Sequence, residues 1–478
     1  MPDFHPSLLS TPVRQLLRRT PLVLPPESTI QEAAQRMCEE RASSVLIGAD
    51  GVFFGLVTDR DLRNRVLATG MEPQRPIVDI ATLAPFTVQP EQTAFDALLL
   101  MARHNIHHIP VIDGPEVLGV ITAGDLAERH STSAVFLTSE ICQHTTLQGL
   151  QRSSAQIRHL QQNLAAAGAS AYSTGQMVTA VTDALTRRLL ELGEQLLGPA
   201  PIPYAWVAAG SQARCEQTAK SDQDNCLLLD ARYQEEEHGE YFRALARWTC
   251  DGLNACGYVY CPGDVMATNP DWCQPLPRWR HYFGQWTQQP DPQALMLTSV
   301  FFDLRAVHGQ ANLLDGLRAE VLEHTRGNTI FLAHMVGNAL HNRPPLSLFQ
   351  RIAPIGRGEH KGKLDLKHSG AVPVVDLARV YALAGGHAEV NTHDRLLAAA
   401  AGGAISAASA HDLRDALEFM ASLRLKHQAR QLDEGATPDN HLSLTEISNF
   451  ERTQLRDAFT VVQTLQQVLA QRYQAGRF

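Results

Sequence analysis

Two kinds of apolar spacing alternate along the first part of the chain. Ala33, Ala34, Met37 and Cys38 recur at helical intervals behind Ser28 and Thr29, and Gln31 and Glu32 stand where a capping box needs them. This predicts a helix. A short apolar run (SSVLIG) follows, then a Gly-containing turn (ADG), a second run (FFGLVT) and a polar helix start (DRDL), so helix, strand, turn, strand, helix is expected. The same order returns in HHIPVI, DGP, VLGVIT and AGDL. A single shift of 64 residues (90 − 26 = 64) lays one copy on the other without a gap. It sets Pro26 on Pro90, Thr29 on Thr93, Met37 on Met101, Gly55 on Gly119, Thr58 on Thr122 and Asp61 on Asp125. One copy alone has little core, so the two are expected to pack as a pair.

Residues 134–198 contain no proline, and Val178, Val181, Leu185, Leu189, Leu192 and Leu196 recur every three or four positions. That predicts a connecting helix or helical hairpin packed on the next domain, with a short coiled-coil dimer seam as the other reading of the same face. The pattern then switches: YAWVAA reads as a strand ended by Gly210-Ser211, QARCEQT as a helix start, DNCLLL as a second strand. LMLTSVFFDLRAVHG is a further apolar run that reaches Asp303, with Arg305 on the same strand face. From about residue 310 the spacing is helical again, in ANLLDGLRAEVLEH and SNFERTQLRDAFTVVQTLQQVLAQRY. The expected fold is multidomain, α/β and α. A tandem α/β module (16–72 and 76–133) precedes a helical linker (134–198), an α/β domain (199–309) and a C-terminal helical bundle (310–478).

Composition narrows the function classes. The 478 residues are 44% hydrophobic and 19% charged, which is enough for several cores. Lys plus Arg is 41 against 50 Asp plus Glu, a formal charge of −9, unsuited to sequence-independent binding of nucleic acid. MPDFHPSLLS lacks the basic start and apolar core of a signal peptide, and no apolar run reaches a membrane span, so a cytoplasmic, non-membrane protein is expected. The eight cysteines then read as free thiols. Cys250, Cys256, Cys261 and Cys273 cluster, but without the tight pairs of a zinc site.

Candidate chemistry sits in the middle of the chain. On an extended segment Asp222 and Asp224 project from one face. Two carboxylates beyond a Gly-Ser turn suit a hard divalent cation, with Gly210 letting the backbone approach a triphosphate and Ser211 donating to it. Asp61 and Asp125 can each cap a helix or accept two hydrogen bonds from a ribose diol.

The repeat resembles the CBS domain, on Gly55-Leu56-Val57-Thr58-Asp59-Arg60-Asp61 and Gly119-Val120-Ile121-Thr122-Ala123-Gly124-Asp125. The resemblance implies an adenine nucleotide as regulatory ligand, with Asp61 and Asp125 at ribose, Thr58 and Thr122 near phosphate, and assembly as a homodimer. The run G-S-x-x-R-x-E-x-T-x-x-S-D-x-D from Gly210 to Asp224 resembles the nucleotidyltransferase superfamily in the branch of the protein-PII uridylyltransferases. It is closest there to bacterial CBS-linked proteins. This resemblance implies Mg2+ (or Mn2+) held by Asp222, Asp224 and a third carboxylate, Asp303, which also helps take the acceptor's proton. It implies a nucleoside triphosphate substrate, contacted by Gly210, Ser211 and Arg214, and an acceptor that could be a protein hydroxyl. Many relatives have a small-Gly-Arg ending after the Gly-Ser turn, where this chain has Gln212-Ala213-Arg214.

Lys363 and Lys367 precede an apolar helix and read either as triphosphate contacts or as a solvated basic turn. Trp272 and Trp279 could stack on a base, although core packing is the commoner use. His393-Asp394 and His411-Asp412 hint at a phosphohydrolase but read more simply as helix starts. Two functions follow as expectations: an NMP-transferring enzyme under adenylate control, or a non-catalytic adenylate-sensing signalling protein on a transferase scaffold.

Overall fold

In the computed structural model the described residues are 11–17, 20–49, 52–127, 134–291, 295, 299–347 and 350–475. The N-terminal ten residues, Asp50-Gly51 of the first turn, 128–133 at the end of the second copy, Met296–Thr298 of the apolar run and 476–478 lie outside them. The chain divides into two compact units, residues 1–140 and 141–478. No helix of the described residues is long and apolar enough to cross a membrane.

The first unit repeats itself to the register. Helix Ile30–Glu39 starts at Thr29, whose Oγ1 accepts from Glu32 N at 3.0 Å, and helix Ala94–His104 starts at Thr93, which accepts from Asp96 N at 3.2 Å. Arg41 and Asn105, 64 apart, both take a left-handed conformation just beyond these helices, at φ 53° and 51°. Strands β1 (Val23–Leu24), β2 (Ser44–Ala49), β3 (Val52–Thr58) and β4 (Thr82–Leu83) form one sheet. Strands β5 (His108–Asp113) and β6 (Glu116–Thr122) form the second hairpin. Leu24 lies opposite Ile47 and Val88 opposite Val111 (88 − 24 = 111 − 47 = 64), and each hairpin has its irregularity at the equivalent step. The buried helix face is Ile30, Ala33 and Met37; Cys38, expected on it, is exposed, because the stripe facing the sheet is only one residue wide.

The segment expected as a linker forms four helices: Ala134–Gln143, which begins in the first unit, and Leu147–Ser154, Ile157–Ala166 and Ala171–Leu197 in the second. The last is a core element. Val178, Val181, Leu185, Leu189 and Leu192 are buried within the unit, so this face is no dimer seam, and Trp248 of helix Glu235–Ala255 donates to Leu189 O at 2.9 Å. Leu196, at the helix end, is exposed.

The sheet that helix covers runs in the order β10 (Leu304–Gly309), β7 (Tyr204–Ala209), β8 (Asn225–Leu229), β9 (Cys273–Pro275). β7 is antiparallel to β10 and β8, and β9 is parallel to β8. β7 and β8 are buried at every residue, which is why YAWVAA and NCLLL are continuously apolar. Asp303 does not lie within a strand as expected: Ser299–Phe302 is a 3-10 turn, and Asp303 sits at the entrance to β10. The remaining helices pack as a bundle against this sheet. They include Ala311–Thr325, Val372–Gly385, Thr392–Ala401, Ala407–Asp433 and Asn449–Arg472, with a small antiparallel pair, β11 (Lys363–Asp365) and β12 (His441–Ser443).

Candidate active site

Asp222 and Asp224 occupy an extended segment just before β8, not the strand itself. Gln223 between them forms a bridge with Tyr260 and points inward, donating from Nε2 to Cys250 O and Tyr258 O, both at 3.0 Å. Asn225 also points inward and accepts from Ala267 N at 2.8 Å. Alternation therefore turns both carboxylates the other way. The two inward amides tie down the 258–267 loop, which brings Cys261 to the acids. Asp222, Asp224 and Cys261 offer ligand atoms that all lie within 4.8 Å of one another.

The Gly-Ser turn lies directly beneath. Gly210 has φ +56°, its N donates to Asp303 O at 3.2 Å, and a Cβ here would stand 2.6 Å from Asp224 Oδ2. Glycine is required twice over, by conformation and by the carboxylate packed against it. Gly210→Ala is therefore expected to cost about 1–3 kcal/mol and to displace Asp224, weakening divalent-cation binding; urea unfolding and a calorimetric Mn2+ titration measure the two effects. Burial first, then the charge of Asp222, pushes the Asp224 carboxyl up to about 6. Burial and the Asp224 charge push the Cys261 thiol up to about 12. A neutral thiol is a poor partner for Mg2+, whereas two carboxylates with substrate phosphates meet its demands, so the donor set fits that ion.

Asp303 is not part of this group. Its carboxylate is fully buried and receives Arg214 (Nη1–Oδ2, 2.6 Å), Arg379 (Nη2–Oδ2, 2.6 Å) and Arg395 (Nη1–Oδ1, 2.5 Å). Burial alone would raise its pKa, but these guanidinia hold it far below the usual carboxylate range. Oxygens already held by three guanidinia are poorly placed to coordinate a cation or accept a proton. The expected convergence of three acids fails because two arginines of the helical bundle reach this carboxylate instead. Arg214, expected on phosphate, is likewise engaged: Nε donates to Glu216 at 2.7 Å, and Glu216 accepts from Thr392 N at 3.0 Å. Arg305 reaches Asp183 of helix Ala171–Leu197 at 2.7 Å.

Beside Asp222 lies an open cleft. Its floor is Ser211 with residues 214–218 and 220–222, and its walls come from helices Ala171–Leu197, Val372–Gly385 and Ala407–Asp433. Lys367 lines it, with Nζ 4.0 Å from Asp222 Oδ1. Lys363 does not line it, being paired into β11 opposite Ser443. Trp279 is a core residue, fully buried and donating to Leu227 O at 3.0 Å, with Trp272 packed 6.1 Å from it. Asp394 stands in the first turn of helix Thr392–Ala401, beside the Asn391 cap. His411 is exposed near a helix start. Gln217 and Arg424 were not singled out in the sequence, although Gln217 lies inside the G-S…D-x-D run; Cys261 was named only within the cysteine cluster and not beside the acids.

In the CBS-like unit, Thr58 N and Oγ1 donate to Asp61 Oδ2 at 2.9 and 2.7 Å, and Thr122 N and Oγ1 to Asp125 Oδ2 at 2.8 and 2.6 Å. Both aspartates thus close caps through Oδ2. The copies are joined by Ser43 Oγ and His108 Nε2 at 2.8 Å.

Three families match four stretches: the CBS domain at 13–68 and 77–131, "Putative nucleotidyltransferase DUF294" at 155–293, and "Putative nucleotidyltransferase substrate binding domain" at 329–473. Asp303 falls between the last two. CBS domain-containing protein YhcV of Bacillus subtilis (strain 168) is 34% identical over 102 residues, which is 21% of this chain and 73% of that protein. CBS domain-containing protein CBSCBSPB3 of Arabidopsis thaliana is 30% identical over 111 residues, but the chain spans only 20% of its length. A CBS domain protein from Pyrobaculum aerophilum, solved in complex with AMP, is 28% identical over 27% of this chain and 97% of that one, with a TM-score of 0.24. Fold and site together define a CBS pair ahead of a nucleotidyltransferase-type sheet and its helical partner. The chain belongs to the CBS domain-containing proteins, in the arrangement that joins the pair to DUF294 and its substrate-binding domain.

Proposed function

We propose that this protein is a Mg2+-dependent nucleotidyltransferase that moves an NMP group from a nucleoside triphosphate, UTP or ATP, to an acceptor hydroxyl, with release of pyrophosphate. The observation that carries the reading is the Asp222–Asp224 pair, whose carboxylates lie close together, with Asp222 and Ser211 both lining the cleft. Bound there, the cation would offset negative charge on the phosphates. Asp222 and Asp224 would hold it, Gly210 makes room for the Asp224 carboxylate, Ser211 reaches the cleft where phosphates would lie, and Lys367 stands beside Asp222 to balance charge. Incubation with labelled NTPs, Mg2+ and cell extract tests this. Pyrophosphate release and a labelled acceptor are expected, and their absence for every NTP would overturn it. A protein acceptor and a homodimer belong to the same reading and rest on the family resemblance.

Control of the transfer by an adenine nucleotide at the CBS pair is part of the proposal, with Asp61 or Asp125 offering its carboxylate to ribose hydroxyls. Calorimetry on the full chain is expected to detect AMP or ATP binding that weakens by about 1.5–3 kcal/mol when the aspartate at the occupied cleft becomes Ala. Unchanged affinity in Asp61→Ala, Asp125→Ala and the double variant would remove these residues from the ligand site.

One observation favours the second reading, a non-catalytic adenylate sensor: the third carboxylate that the transferase family predicts is held by three arginines. The labelled-NTP assay separates the two.

A further inference from the structure

The cleft contains a half-buried arginine, Arg424, that feels the field of Glu216 and Asp365 but has no ion-pair partner among the described residues. Arg424 lies on helix Ala407–Asp433, on the same face as Leu417 and Ala421, and this face lines the cleft that Ser211 and Asp222 also line. Its Nε is sealed from solvent and has no hydrogen-bond partner, and among the described residues no carboxylate forms an ion pair with it. The nearby acids are already engaged. Glu216 holds Arg214 and the Thr392 amide. Asp365 accepts from the amides of Lys367 and His368 and pairs with the His368 ring. Glu418 of the same helix accepts from the amides of Ala171 and Tyr172.

A guanidinium keeps its charge in a protein, and burying an uncompensated charge is costly. A fold that retains one on a cleft wall gains from a partner that arrives later. A second orphan points the same way. Gln217, 1% exposed and also lining the cleft, has neither its amide oxygen nor its amide nitrogen satisfied. Its backbone N donates to Thr179 Oγ1 at 3.4 Å. Its loop lies close against helix Ala171–Leu197, where a Cβ at Gly175 would stand 2.8 Å from Cys215 O. The amide is thus fixed in place with nothing to bond. An unpaired planar cation and an unpaired amide in one cleft specify a ligand that carries both anionic and polar groups.

We propose that Arg424 is the phosphate anchor of the cleft, taking the polyphosphate chain of the nucleotide from the helical wall, with Gln217 bonding to a polar group of the same ligand. This rests on the transferase reading of the cleft. It gives the helical domain a direct share in binding the substrate, in addition to packing against the sheet.

Inorganic tripolyphosphate is the probe, since it carries the anion without a base. Calorimetry on the full chain in an Asp61→Ala/Asp125→Ala background limits binding by the CBS pair. Arg424→Met is expected to weaken tripolyphosphate binding roughly ten- to a hundredfold, the worth of charged hydrogen bonds, and Arg424→Lys is expected to fall between. Without ligand, Arg424→Met is expected to melt at a higher temperature than its parent, because the unpaired charge is gone. Loss of binding with gain of stability is a combination that a structural arginine does not produce. A lower melting temperature without ligand would overturn the proposal, as would unchanged tripolyphosphate affinity in Arg424→Met. Failure of the parent to bind tripolyphosphate would overturn it too. If Arg424→Met does not fold, the Lys variant decides by the same affinity comparison. None of these results removes the transferase reading, which stands or falls on pyrophosphate release by the unaltered protein.

Discussion

Asp303→Asn is expected to destabilise the protein by about 3–5 kcal/mol, equally in EDTA and in Mg2+. The magnitude follows from the charges around it. Arg214, Arg379 and Arg395 meet Asp303, and Asp376 pairs with Arg379 at 2.6 Å while Glu216 pairs with Arg214 at 2.7 Å. Three cations face three anions, so removing one anion leaves a buried positive charge without a partner. The folded pKa of Asp303 is depressed, so its contribution is fully present above the ordinary carboxylate value near 3.9. That contribution is lost only as the pH falls through the folded value. The wild-type cluster should therefore survive mild acid. Urea unfolding of both proteins, with and without metal, is the measurement. An Asp303→Asn chain as stable as wild type in EDTA but unresponsive to Mg2+ would return Asp303 to the metal.

Asp222→Asn is expected to give the opposite pattern. In EDTA it should unfold no more easily than wild type, because two carboxylates 4.8 Å apart repel each other by about 3.5 kcal/mol at an effective dielectric of 20, and partial exposure of Asp222 reduces that figure. In Mg2+ at a hundred times its dissociation constant, wild type should gain about 2.7 kcal/mol and the variant almost none. NTP turnover should fall at least about a hundredfold, since charge on the phosphates is no longer offset. Thermal melts with and without Mg2+, run beside a pyrophosphate assay, check all three. A variant that still gains stability from Mg2+ would place the cation elsewhere.

The local parts of this structure were legible in the sequence, and the long-range charge pairing was not. The repeat and its 64-residue register could be read because caps, turns and apolar alternation are written within a few residues of where they act, whereas the pairing of Leu24 with Ile47 and of Val88 with Val111 emerged only in the structure. The shared face of Asp222 and Asp224 was legible for the same reason: an extended backbone fixes it. The partners of Asp303 come from residues 214, 379 and 395, and no spacing rule joins positions that far apart. Arg424 was hidden differently. Ala410, Leu413, Ala416, Leu417, Met420, Leu423 and Leu425 bury its helix on several sides, so periodicity does not single out the face that lines the cleft. Cys261 read as one thiol among several because the inward amides that deliver it, Gln223 and Asn225, lie some forty residues before it in the chain.

The Asp303 cluster also bears on inheritance. The family segments at 155–293 and 329–473 are separable in sequence, and Asp303 belongs to neither. Yet its carboxylate is neutralised by Arg214 from the first segment and by Arg379 and Arg395 from the second. A recombination event that exchanged the helical segment for a homologue without both arginines would strand an anion in the protein's interior. Lineages that kept the sheet are therefore expected to have kept these two arginines with it, or to have changed all the charges together. On this charge balance the two segments are expected to be inherited as one piece, tied by a residue that lies outside both.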